Sequence, residues 1–159
     1  MAPASRRRRA LASTIAFLTL SFGHFATART DDAAAAMESW GIMGTWAADC
    51  SAPPSRGNTF YTYARRGGAV VLDRDGAGFK DSSPITRARV RSDGMLEYHV
   101  DFGGRSNVFI NTFAKRSDGK IRIFFNRNAG GETTVRDGFL LPQGTETSWR
   151  ERCAPGKTA

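Results

Sequence analysis

Few residue types able to do acid–base or nucleophilic chemistry occur in this chain of 159 residues: two histidines, His24 and His99, and two cysteines, Cys50 and Cys153. His24 falls within an apolar amino-terminal stretch, so His99 alone remains for a Ser-His or Cys-His arrangement, each of which needs an imidazole beside its nucleophile. In an oxidising compartment the even cysteine pair predicts a Cys50–Cys153 disulfide, which removes the thiolate. One imidazole without a thiolate cannot supply the three or four ligands zinc prefers. A two-carboxylate hydrolase could draw on Asp73, Asp75, Asp81, Glu97 or Asp101, but no spacing singles out a pair. Asp73-Arg74-Asp75-Gly76 matches the opening of a calcium loop, lacks its later ligands and the glutamate at the twelfth position, and reads as a turn. These residues predict a protein that is not an enzyme and carries neither metal nor cofactor.

The amino terminus predicts export. Arg6 to Arg9 precede an uncharged, largely apolar run from Ala10 to Phe25 and then the small-x-small triplet Ala26-Thr27-Ala28, the grammar of a signal peptide cleaved after Ala28. The run is shorter than the ~20 residues of a membrane-spanning helix, so no span is expected after cleavage and the expected location is periplasmic or secreted. The division is therefore 1–28 leader, 29–42 amino-terminal helix or extension, and 43–159 β domain. The leader also inflates the net charge of +8: without Arg6 to Arg9, 19 basic residues face 15 acidic ones, or +4. That balance is mild for a nucleic-acid binder. A remaining length of 131 residues suits one domain.

The elements needed to position side chains are strands. Asp31 to Ser39 carries helix formers, with acids at its amino end, and predicts one short helix. From Met43 onward, apolar runs separated by Gly, Pro, Asn and Asp clusters predict strands near 43–49, 58–65, 68–73, 84–91, 95–102, 106–115, 119–127, 132–140 and 145–152. A three-residue loop at Ser92-Asp93-Gly94 sets Val90 against Leu96, Ala88 against Tyr98 and Thr86 against Val100, while Arg89 meets Glu97 and Arg87 meets His99. One face is then apolar and the other charged, as a half-buried antiparallel pair requires. The same loop at Ser117-Asp118-Gly119 sets Phe113 against Ile123 and Asn111 against Phe125. A tight turn at Gly103-Gly104 would keep Tyr98, Val100, Phe102 and Phe109 on one side.

Two candidate binding surfaces result. The inner, aromatic face offers Tyr98, Phe109 and Phe113 to an apolar or amphipathic small molecule, with the amides of Asn107 or Asn111 orienting its polar group. The outer face carries Arg87, Arg89 and Arg91 at alternating positions, a basic strand face suited to an acidic envelope partner. Nucleic acid is not expected, because the aromatics that stacking would need point inward.

Gly44-Thr45-Trp46, on the first strand after a short helical segment, resembles the Gly-x-Trp signature of lipocalins and their calycin relatives. The resemblance implies an antiparallel meander of about eight to ten strands closed into a barrel, with Trp46 closing one end and Arg150 or Arg152 packed across its ring. The longer segment from Gly44 to Pro54 is similar to small exported bacterial proteins, a likeness that implies no activity. An even, closed meander would make the first and last strands antiparallel and hold Cys50 about 20 Å from Cys153 at roughly 3.4 Å per residue. A bridge therefore requires an odd strand count or a cysteine on a returning loop, and the odd count or an added strand is the favoured reading. The functional expectation is an exported, non-catalytic β-barrel that binds a small apolar ligand inside; the alternative is an interaction or inhibitor-like module using the basic face.

Overall fold

A computed structural model describes residues 28–104 and 107–156, with side chains from residue 32 onward. The proposed leader, 1–28, lies outside the described residues except for Ala28. The chain forms helix α1 (Ala28–Trp40) and strands β1 (Gly44–Ala47), β2 (Phe60–Arg66), β3 (Ala69–Gly76), β4 (Phe79–Val90), β5 (Leu96–Asp101), β6 (Val108–Lys115), β7 (Ile121–Asn128), β8 (Thr133–Arg136), β9 (Phe139–Leu140), β10 (Thr145–Glu146) and β11 (Glu151–Arg152). One antiparallel sheet runs in the order β10-β9-β8-β7-β6-β5-β4-β3-β2-β1-β11. It curls into a half-barrel, and its gap is bridged by the last segment. β11 pairs with β1, while Arg150 exchanges backbone hydrogen bonds with Ile121 at the start of β7, at 2.8 and 3.0 Å.

The count exceeds the expected eight to ten because two predicted strands divide. Asp137 (φ 53°) and Gly138 (φ 82°) break 132–140, and the loop after β10 interrupts 145–152. Asp73-Arg74-Asp75-Gly76, expected as a turn, completes β3, and the turn lies at Ala77-Gly78. The β3–β4 hairpin is consequently longer than predicted, and β4 begins at Phe79 rather than near residue 84.

Alanines and Met37 favour the helix, and Gly41 stops it: at φ 83° it lets the Ile42 N–H donate to the Met37 carbonyl at 3.1 Å. The helix buries Ala33, Ala34, Met37 and Trp40 against the inner face of the sheet. Trp40 Nε1 donates to the Gly94 carbonyl at 2.8 Å, and Lys115 donates to the Trp40 carbonyl, so the helix end is anchored to two hairpins. Beneath it lie Tyr63, Val70, Leu72, Ile85, Leu96, Tyr98, Val100, Phe113 and Ile121, the apolar side of consecutive strands.

The disulfide forms, with Cα atoms 5.4 Å apart, in a sheet whose strand count is odd, eleven, with β11 added beside β1. First and last strands are antiparallel. Cys50 reaches Cys153 because the chain turns back after β1, and Asn58 holds that turn. Its Oδ1 accepts from the Asp49 N–H at 3.0 Å, and its Nδ2 donates to the carbonyls of Asp49, Ala52 and Pro53 at 2.9, 3.3 and 3.3 Å. A buried amide thus satisfies loop groups that no strand partner reaches.

Candidate functional site

The hairpin registers decide which side chains share a surface. Val90↔Leu96, Ala88↔Tyr98, Arg89↔Glu97 and Arg87↔His99 pair as the loop chemistry predicts, and Gly94 is left-handed at φ 79°. The register then shifts: Ile85, not Thr86, faces Val100. In the next hairpin Phe113 faces Ile123 as expected, but a bulge at Thr112/Phe113 sets Asn111 against Asn126 and Thr112 against Phe125. Phe125, expected on the inner face, therefore turns outward.

Inside, the predicted ligand residues are engaged with one another. Tyr98 is 2% and Phe113 1% exposed; their rings stack at 5.7 Å, and the Tyr98 and Tyr63 hydroxyls share a hydrogen bond of 2.9 Å. Burial pushes the Tyr63 phenol up to about 12 and the Tyr98 phenol well above its ordinary range. Asn111 Oδ1 accepts from Asn126 Nδ2 at 2.8 Å, and Asn126 Oδ1 accepts from Thr134, so these amides are partnered within the sheet. Phe109 is half-buried against Phe102, edge to face at 5.6 Å. Asn107 does not join this face: it is exposed in the turn after β5, where its carbonyl accepts from Phe102 N–H. Trp46 is buried, donates Nε1 to the Ile42 carbonyl at 2.6 Å, and has the Arg152 guanidinium 5.8 Å from its ring centre. Arg150 instead lies over Tyr61 at 3.8 Å.

Outside, the same strands form a groove of about 770 Å³. Two rows of cross-strand neighbours floor it. Arg87, His99, Ile110 and Arg127 run across β4, β5, β6 and β7; beside them run Arg89, Glu97, Thr112 and Phe125. Arg91 and Asp32 lie at its margin. Arg89 Nε donates to Glu97 at 2.8 Å, and Arg91 reaches Asp93 at 2.8 Å and Glu97 at 3.7 Å. Among the described residues neither Arg87 nor Arg127 has a carboxylate within ion-pair distance. His99 sits between them, with its pKa held below the ordinary imidazole value by burial and by Arg87, Arg89 and Arg127, against the opposing pull of Glu97.

The sequence pointed to Arg87, Arg89 and Arg91 as a basic face and set His99 beside Arg87 without a binding role; it missed Arg127, Ile110, Thr112 and Phe125. The bulge that brings the last two opposite one another inserts Phe124 as an extra residue of β7, and the sequence of that strand does not mark it. Asp73 and Asp75, on the other half of the sheet, are held by Arg66 and Lys80, and among the described residues no three potential metal ligands gather. No protein-family model, curated protein or solved structure matches the chain.

Proposed function

We propose that this is an exported, non-catalytic binding module that takes an anionic partner on the outer groove of β4 to β7. The observation that carries the reading is the pair Arg87 and Arg127, without a counter-ion among the described residues, on either side of His99 on a concave, partly apolar floor. Cations without counter-ions favour anion docking, at the cost of ordering two exposed side chains, and beside them Arg89 and Arg91 are paired with Glu97. The interior reading has weaker support, since Tyr98, Asn111 and Phe113 are buried and spend their contacts on neighbours.

Poly-L-glutamate is a suitable probe. It should bind the wild-type protein with an affinity that falls as salt rises, and Arg87→Glu/Arg127→Glu should weaken it by about tenfold or more, a change of about 1.4 kcal/mol. Equal binding by wild type and variant, both folded by circular dichroism, would remove the groove from consideration.

A further inference from the structure

We infer that the groove selects an amphipathic organic anion: its charged head lies between Arg87 and Arg127 above His99, and its apolar body lies along Ile110 and Phe125. This rests on the proposed anionic reading and narrows it.

The two halves of the selection come from different side chains. Arg87 and Arg127 stand three strands apart, about 14 Å between backbones at ~4.8 Å per strand, and their long arms can converge from either side of the row. A guanidinium offers a planar fork of donors that matches a carboxylate or phosphate head. Of the four guanidiniums in the groove, Arg89 and Arg91 are already committed to Glu97 and Asp93. Among the described residues, an incoming anion therefore competes with no carboxylate at Arg87 and Arg127. Asp32, at the helix end of the groove, adds a negative margin that disfavours a second anionic group there.

The floor has the opposite character. Ile110 and Phe125 are half-buried, and Thr112 is 2% exposed. An inorganic anion would leave that apolar surface uncovered, and a neutral apolar molecule would desolvate Arg87 and Arg127 without pairing them. An anion with an apolar body satisfies both, and about 770 Å³ is within the usual size of small-molecule sites.

His99 supplies an internal reporter. The groups facing it are Glu97 on its own strand, Arg87 and Arg89 from β4 and Arg127 from β7, while β6 presents Ile110. An anionic head placed there favours the imidazolium, so the ligand should raise the His99 pKa and bind more tightly as pH falls.

The test uses 4-phenylbutyrate, its neutral counterpart 4-phenylbutan-1-ol, and acetate as a head without a body. Binding is followed by calorimetry, and His99 by NMR titration. 4-Phenylbutyrate should bind about tenfold or more tightly than either control, the threshold set by about 1.4 kcal/mol. It should raise the His99 midpoint and lose both effects in Arg87→Gln/Arg127→Gln, while Phe125→Ser should weaken it without abolishing the response of His99. If poly-L-glutamate binds through Arg87 and Arg127 but 4-phenylbutyrate is no better than acetate, the amphipathic selection is overturned and the anionic groove stands. If no probe distinguishes wild type from the double variant, both readings fall.

Discussion

The hydroxyls of Tyr63 and Tyr98 form a closed pair, which makes their deletion a sharp test of how this core is held. Each ring is almost wholly buried, and the 2.9 Å bond between the two oxygens is the partner each hydroxyl has. Tyr63→Phe preserves the edge-to-face ring contact at 5.8 Å and leaves the Tyr98 hydroxyl buried with nothing to donate to. Such an orphan costs about 1–3 kcal/mol, so each single variant should lose about 2 kcal/mol. At a urea slope of about 2 kcal/mol/M, that moves the unfolding midpoint by roughly 1 M. Tyr63→Phe/Tyr98→Phe removes both polar groups from the same space and should cost no more than either single change. The sum of the singles is about 4 kcal/mol, so the cycle should show a coupling of ~2–3 kcal/mol. Urea denaturation of the four proteins at neutral pH measures it. Additivity within about 0.5 kcal/mol would refute the claim that the hydroxyls depend on one another.

The other predictions concern titration and the amino-terminal loop. Burial raises the Tyr63 phenol to about 12 and lifts Tyr98 as well. Stability held by the neutral Tyr63 phenol is full below the unfolded value near 10 and is lost as pH rises through about 12; absorbance titration at pH 11 should find it still protonated. The Arg116 guanidinium beside Asp118 holds that carboxyl down to about 2, from an ordinary 3.8. Its stabilising effect is present above 3.8 and lost as pH falls through 2, and NMR should place the Arg116→Ala midpoint back near the ordinary value. Asn58→Ala strips the hydrogen bonds that fold Cys50 back toward Cys153. It should cost about 2–3 kcal/mol, or roughly 10 °C in calorimetric midpoint with the disulfide intact, and a shift within about 2 °C would show that the disulfide alone shapes the loop.

Legibility of the chain followed the range of the interactions involved. Ser92-Asp93-Gly94 is a local instruction: the left-handed Gly94 sets the loop, the loop sets the register, and Arg87, Arg89, Glu97 and His99 emerge on one face as read. The alternation of polar and apolar residues likewise determined that Tyr98, Val100 and Phe113 form the core, because a strand's period of two leaves no other arrangement. The cysteine pair was legible from its even number and the expected export, but the path of Cys50 was not. Asn58 makes that path through bonds to three separate loop residues, contacts that exist only after the chain has turned.

By itself, then, the sequence determined an antiparallel sheet with an aromatic inside, a charged outside, a short helix and a disulfide. Tertiary structure decided how the inside is filled and which side chains share the outer groove. Helix packing, the Tyr63–Tyr98 bond and the Asn111–Asn126 pair filled the inner face. One bulge between Thr112 and Phe113 rotated Phe125 outward beside Thr112, and after it Arg127 stands against Ile110. A bulge costs little locally and is stabilised by the packing of whole strands on both sides, so no local pattern announces it; yet it reverses the facing of every residue beyond it.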